Sequence, residues 1–84
     1  EWAEHDIQVN ALAPGFVATA LNSHLWENEE FNTWILDRTP AHRVGTPEDM
    51  VGTALFLAAP ASDFVTGQVI YVDGGIMAGS VWPL

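Results

Sequence analysis

Residues 7–15 read IQVNALAPG, a short apolar run that contains one asparagine and ends in proline and glycine. An apolar run of this length, bounded by a turn signal, predicts a strand over residues 7–13 that is buried on both faces, as in a parallel sheet. Pro14 and Gly15 break the strand. We expect Asn10 to hydrogen-bond across neighbouring strand ends rather than to take part in catalysis.

A second strand is predicted at residues 68–72, QVIYV, because β-branched and aromatic residues dominate that run. Between the strands, the clearest local signal is TPED at residues 46–49. Its threonine suits the N-cap, its proline suits the first helical position and its aspartate can complete a capping box. A helix is therefore predicted over residues 47–58, and Pro60 prevents it from continuing. Two apolar strands joined by a helical crossover form a βαβ unit, which is right-handed in nearly all cases.

The other segments divide the chain into three parts of one incomplete domain. Residues 1–19 hold the end of a helix, the first strand and a loop. Residues 20–45 hold a helical region over 20–38, in which a second helix begins near residues 28–30, and a loop. Residues 46–84 hold the capped helix, the second strand and an apolar tail. Because the chain begins within a helix that no capping residue precedes, the sequence suggests a fragment.

The composition excludes several classes of protein. Eleven acidic residues stand against Arg38 and Arg43, for a net charge of −9, so neither nucleic acid nor an anionic membrane is an expected partner. There is no cysteine, and three widely separated histidines lack metal-ligand spacing. No apolar run approaches the roughly 18–20 residues that span a bilayer. We therefore expect a cytoplasmic protein without a metal, and only marginal stability for an 84-residue chain.

Several short motifs follow one another along the chain. They are Val9-Asn10-Ala11 with Pro14-Gly15 and Thr19, residues 43–49, Phe56-Leu57-Ala58, residues 62–67 and Val72-Asp73-Gly74-Gly75. In order and spacing they resemble the C-terminal third of the short-chain dehydrogenase/reductase family, and most of all its sugar-acid dehydrogenases. The resemblance implies an α/β fold, the C-terminal βαβ portion of a Rossmann-like, doubly wound parallel sheet.

The resemblance also implies a site for NAD or NADP in the loop after the first strand. In the family, the backbone around the position of Val17 meets the nicotinamide carboxamide, and the residue at Thr19 reaches toward the carboxamide or the pyrophosphate. Pro14 and Gly15 let the chain turn sharply against the cofactor at the carboxyl end of a strand, where open α/β sheets bind ligands. These four residues are the candidate cofactor-binding positions.

A substrate lid and an oligomer face are further expectations from the resemblance. The helices of residues 20–38 match the mobile lid that closes over a small-molecule substrate and excludes water. His24 and Trp26 are the candidate substrate contacts in that lid. Residues 47–58 and 68–84 match elements that pack against a second subunit, so we expect a homo-oligomer.

No residue of this chain matches the family's catalytic serine, tyrosine and lysine, or its glycine-rich phosphate loop. The chain has no lysine, and its single tyrosine, Tyr71, lies inside the second predicted strand. Lysine matters there because its charge lowers the tyrosine pKa, which makes the phenol a usable acid or base near neutral pH. We therefore expect a segment of an oxidoreductase that acts on hydroxyl or carbonyl groups, but no hydride transfer by these 84 residues alone.

Other interpretations stay open at this stage. One is a truncated module that acts by self-association, because two strands alone leave an unpaired edge that the tail around Trp82 could help to cover. A small serine hydrolase is another, although adjacent Ser23 and His24 would not face each other on a helix. Arg43 could clamp a substrate carboxylate, but a structural bond between its loop and the following helix is favoured.

Overall fold

The computed structural model describes residues 1–79 of the chain. In chain order, its strands and α-helices are β1 (Ala11–Pro14), α1 (Ser23–Trp26), α2 (Glu29–Arg38), α3 (Glu48–Ala58) and β2 (Val69–Val72). The two strands pair in parallel, from Ala11 opposite Val69 to Pro14 opposite Val72. Helix α3 lies between them in the sequence and contacts both. The predicted βαβ arrangement of an α/β fold is confirmed.

Both strands begin later than the sequence predicted. β1 starts four residues after the predicted position and continues through Pro14, while β2 starts one residue late, at Val69. The delay in β1 arises because the backbone of Val9 is bonded to a turn instead of to a strand. Its N–H donates to the Thr66 hydroxyl at 3.1 Å, and its carbonyl accepts the Gly67 N–H at 2.9 Å.

The prediction that the first strand is buried on both faces is wrong for this chain, since Ala11 and Pro14 of β1 are exposed and none of its four residues is fully buried. Val69 and Tyr71 of β2 are 54% and 56% exposed. The reason is that α3 is the only α-helix of the described residues that packs on the sheet. One layer of helix covers one face, and the alternating side chains of β2 on the other face stay uncovered.

The predicted helical region of residues 20–38 is broken into three pieces. A 3-10 turn over Ala20–Asn22 leads into the one-turn helix α1, and α2 follows Asn28. The Asn28 side-chain oxygen accepts the Phe31 N–H at 3.0 Å, which confirms the predicted start of a second helix. Ile35 of α2 is the one hydrophobic side chain that is fully buried among residues 1–79.

The ends of α3 agree with their sequence signals to within one residue. The helix begins at Glu48, directly after Pro47, and stops at Ala58 before a 3-10 turn over Pro60–Ser62. The prediction that residues 1–5 are the end of a helix is wrong, since the structure has only a 3-10 turn over Ala3–His5 there.

The chain leaves much of its apolar surface uncovered. Its accessible surface is 6449 Å², whereas a compact monomer of this mass exposes about 4,900 Å². Its radius of gyration is 15.9 Å, against about 12 Å for a compact domain of this length. Leu21 is 92% exposed and Phe64 is fully exposed. The chain therefore does not form a complete hydrophobic core by itself.

In residues 1–79, no helix is both long enough and apolar enough to cross a membrane. The same residues contain no group of three or more histidine, aspartate or glutamate side chains placed to hold a metal ion. The last five residues, with Trp82 and the end of the predicted oligomer face at 68–84, lie outside the described part of the chain.

Candidate functional site

The loop that follows β1 leaves the sheet at Gly15, where the ends of the two strands touch. The Gly15 N–H donates to the Val72 carbonyl at 3.1 Å. A β-carbon at Gly15 would lie 2.7 Å from the Asp73 β-carbon and 2.8 Å from its α-carbon, so only glycine fits. The Asp73 carboxylate in turn accepts the Gly75 N–H at 2.9 Å and holds the turn after β2. Pro14 and Gly15 thus lie at the carboxyl edge of the sheet, as the sequence predicted.

Val17 is held in an isolated parallel bridge with Gly45. The Gly45 N–H donates to the Phe16 carbonyl at 2.8 Å, and the Ala18 N–H donates to the Gly45 carbonyl at 2.9 Å. In such a bridge the neighbours of Val17 supply the bonds, so its own N–H and carbonyl face away from Gly45. A candidate cofactor residue therefore presents its peptide groups on the side opposite the bridge.

Asn22 is the organising side chain of this loop, and sequence reasoning missed it. Its Oδ1 accepts the Thr19 N–H at 2.7 Å, the Thr19 hydroxyl at 3.1 Å and the Trp26 indole N–H at 3.0 Å. Its Nδ2 donates to the Val17 carbonyl at 2.8 Å. One amide therefore joins two candidate cofactor residues, Val17 and Thr19, to a candidate lid residue, Trp26. The sequence signal that could have identified Asn22 is its Thr-x-x-Asn spacing from Thr19, which matches a capping box.

Aromatic rings continue the connection from the loop into the lid helices. Phe16 meets Trp26 and Phe31 edge-on, with centroids 6.3 and 6.5 Å apart. Phe31 also stacks on Trp34 at 6.2 Å, and the Arg38 guanidinium lies 4.1 Å over the Trp34 ring. Edge-on and offset-stacked pairs at these separations are favourable. Trp26 thus packs between the loop and α2, with its N–H bonded to Asn22.

The other candidate lid residue stands apart from this cluster. His24 is exposed on α1. The hydroxyl of its neighbour Ser23 donates to the Ala20 carbonyl at 3.3 Å, as in a local turn. No hydrogen bond joins Ser23 to a histidine within residues 1–79, so the geometry gives the hydrolase alternative no support.

Arg43 and Asp49 form an ion pair at the start of α3. The two guanidinium nitrogens donate to the two carboxylate oxygens at 2.7 and 2.9 Å. Asp49 also accepts the Thr46 N–H at 2.7 Å, which is one half of the predicted capping box. The other half does not form, because the Thr46 hydroxyl donates to the Asp49 carboxylate at 3.2 Å and accepts no backbone N–H among residues 1–79. The hydrogen bonds from the Arg43 side chain, which has the largest effect, and from the Thr46 N–H hold the pKa of the Asp49 carboxyl well below its usual range. The favoured structural role of Arg43 is confirmed.

Comparison with known proteins identifies the family of the chain. Residues 1–77 match the family model described as enoyl-(acyl carrier protein) reductase, a model of short-chain dehydrogenases and reductases. The gluconate 5-dehydrogenase of Gluconobacter oxydans is 51% identical over 76 residues, which are 90% of this chain and 30% of that enzyme. The 2-dehydro-3-deoxy-D-gluconate 5-dehydrogenase of Escherichia coli is 51% identical over 78 residues, 93% of this chain and 31% of that enzyme.

A solved structure agrees in fold and in sequence. The gluconate 5-dehydrogenase of Burkholderia cenocepacia, in complex with NADP and tartrate, superposes with a TM-score of 0.87 and 47% identity. The match covers 93% of this chain and 31% of that one. The chain therefore spans about 30% of the length of the relatives it matches.

Proposed function

The chain belongs to the short-chain dehydrogenase/reductase family, and from that premise we propose that it forms the C-terminal segment of an NAD(P)-dependent oxidoreductase that interconverts hydroxyl and carbonyl groups. One observation carries the proposal. The loop of residues 15–19 leaves the carboxyl end of β1 through a glycine in contact with the neighbouring strand end, which is where open α/β sheets bind ligands.

The residues of this loop fit the nicotinamide end of the cofactor. Gly15 brings the backbone close to the sheet edge. Val17 has its peptide groups turned away from the bridge to Gly45. Its N–H can donate to a carboxamide, and its carbonyl, which accepts from Asn22, has a second lone pair for the carboxamide. Thr19 lies exposed two residues further on. When bound there, NAD or NADP supplies or accepts the hydride, while this chain binds and orients the nicotinamide end.

We propose a sugar acid as the substrate. The support is the agreement between relatives named for gluconate and 2-dehydro-3-deoxy-D-gluconate and a solved neighbour named for 2-deoxy-D-gluconate. The lid would be residues 20–45, with Trp26 fixed against Phe16 and His24 free to face the substrate side. Because Trp26 joins the lid to the loop, the two would close over the substrate together and exclude water from it.

The uncovered apolar surface supports two parts of the proposal, that the chain is a segment of a larger domain and that it assembles into an oligomer. Val51 and Leu55 of α3 and Val69 and Tyr71 of β2 are all more than half exposed. Apolar patches of this kind mark protein contacts. We propose that part of this surface packs against the rest of the domain and that residues 47–58 and 68–84 face a second subunit. The chain supplies no catalytic residue, so it would be inactive as a dehydrogenase alone.

The test is a hybrid protein in which the matching segment of the Gluconobacter oxydans enzyme is replaced by this chain. We expect the hybrid to oxidise gluconate with saturable dependence on NAD or NADP, and the separate 84-residue chain to show no turnover. A hybrid with the circular dichroism and oligomeric state of its parent, but no turnover with either cofactor, would overturn the proposed function. Saturable turnover by the separate chain would contradict its proposed inactivity.

A further inference from the structure

We propose that Asn22 is a positioning residue that sets the nicotinamide loop and ties Trp26 of the lid to it. The inference rests on the proposed function, because the loop matters to activity only if it meets a cofactor. It goes further by assigning the arrangement of that loop to one side chain. Asn22 itself is not required to touch cofactor or substrate.

Both ends of the Asn22 amide are used, and they hold different parts of the site. The Nδ2 donor reaches back to the Val17 carbonyl at 2.8 Å, while the Oδ1 acceptor takes the Thr19 N–H at 2.7 Å. The segment between Val17 and Thr19 is therefore clamped at both ends. The bridge to Gly45 also holds the Val17 end, but the Thr19 N–H and hydroxyl both donate to Asn22. Without Asn22 the Thr19 end would sample more conformations, and the cost of ordering it on binding would weaken the affinity for the cofactor.

The same Oδ1 accepts the Trp26 indole N–H at 3.0 Å. Because Trp26 packs edge-on to Phe16 of the loop, at 6.3 Å, and tilted against Phe31 of α2, at 5.7 Å, the position of the loop and the position of the lid are linked. Loop and lid should then order together. Alanine at residue 22 would release both, whereas the aromatic packing alone fixes neither Val17 nor Thr19.

Asn10 offers a matched control at the other end of β1. Its Nδ2 donates to the Val65 carbonyl at 2.9 Å, and its Oδ1 accepts the Gln68 N–H at 3.1 Å. It is thus an asparagine that also clamps two backbone groups, but it lies at the amino end of the strand. The loss of unfolding free energy should be similar for Asn10→Ala and Asn22→Ala, since each removes a hydrogen-bond donor and an acceptor.

The experiment measures NADPH and NADH dissociation constants and the amide exchange of residues 15–19 in the hybrid protein. We expect Asn22→Ala to raise the dissociation constant of the preferred cofactor about tenfold, through loss of one or two net hydrogen bonds that order the loop. Amide exchange over residues 15–19 should become faster. Asn10→Ala, at a comparable loss of unfolding free energy, should change the dissociation constant less than about twofold.

Equal changes in affinity for the two variants, or unchanged exchange in Asn22→Ala, would overturn the inference. If Asn22→Ala does not fold, Asn22→Ser keeps a capping oxygen and still removes the amide donor. We expect this variant also to raise the dissociation constant and to speed amide exchange over residues 15–19, and the same outcomes would overturn the inference. A folded, unaltered hybrid that binds neither cofactor would defeat the proposed function. The exchange measurement would still decide whether Asn22 holds the loop.

Discussion

Two turns of this chain share one local pattern and differ in what they hold. In each, a threonine is followed three residues later by an Asx side chain that accepts the threonine N–H at 2.7 Å and lies close to its hydroxyl. Asp49 of the second turn is charged and takes Arg43 as its partner. Asn22 of the first turn is neutral and takes the Val17 carbonyl and the Trp26 indole.

The difference follows from the hydrogen-bonding capacity of the two side chains. An ionised carboxylate only accepts, so Asp49 can cap a helix and bind a cation but cannot hold a carbonyl. A carboxamide donates and accepts, so Asn22 can close on its own turn and reach a second backbone segment at once. The Thr46 turn therefore starts a helix and holds a side chain of the loop before it, whereas the Thr19 turn holds a backbone carbonyl of the loop before it.

The largest effect on stability should come from a substitution at the start of the loop that leads into the first turn. Gly15→Ala places a β-carbon within 2.8 Å of backbone and side-chain carbons of Asp73, and should lower the unfolding free energy of the hybrid by about 3 kcal/mol. Gly45→Ala, next to the second turn, meets only contacts of 3.4 Å and longer, and should cost less than about 1 kcal/mol. Urea denaturation measures both, and equal losses would contradict the close approach at Gly15.

Exchanging the two Asx side chains sharpens the comparison. Asn22→Asp keeps an acceptor for Thr19 but turns a carboxylate oxygen toward the Val17 carbonyl, where the amide had donated. We expect it to lower the unfolding free energy by about 1–2 kcal/mol, the cost of an unsatisfied polar pair, and to weaken cofactor binding. If Asn22→Asp binds the cofactor as tightly as the unaltered hybrid, the Val17 bond has no role in holding the loop.

The smallest effect should be a change in pH dependence at the second turn. Because the folded-state pKa of Asp49 is lowered, its carboxylate stabilises the folded state fully above the ordinary aspartate pKa of about 3.9. That contribution is lost as the pH falls through the lower folded-state value. Asp49→Asn should therefore make the hybrid lose less stability between pH 7 and pH 3. The urea midpoint at the two pH values measures this, with Asn22→Ala as the variant whose pH dependence should stay unchanged.

Sequence reasoning predicted the second turn because its signals are local. Thr46, Pro47 and Asp49 are near neighbours, and their preference for a helix start needs no other part of the fold. The first turn has the same spacing without a proline. Its further partner Trp26 packs between loop and lid only once α2 is in place, so the role of Asn22 could not be predicted from spacing alone.

The errors at the strands have a similar origin. β1 begins late because Val9 bonds to Thr66 and Gly67, which lie more than fifty residues away in sequence. The apolar run of residues 7–13 predicted burial on both faces, yet none of these residues is fully buried, and Tyr71 of β2 is 56% exposed because no described element covers that face. Hydrophobic pattern identified the strands and their parallel pairing, but it could not show that only one face of the sheet is covered by the described elements.

The most direct test of the proposed nicotinamide site is a crystal structure of the hybrid with NADP bound. We expect the carboxamide to lie within about 2.7–3.2 Å of the Val17 peptide groups or the Thr19 hydroxyl, with Asn22 still bonded to the Val17 carbonyl and to Trp26. A nicotinamide bound elsewhere, with residues 15–19 making no contact with it, would contradict the account.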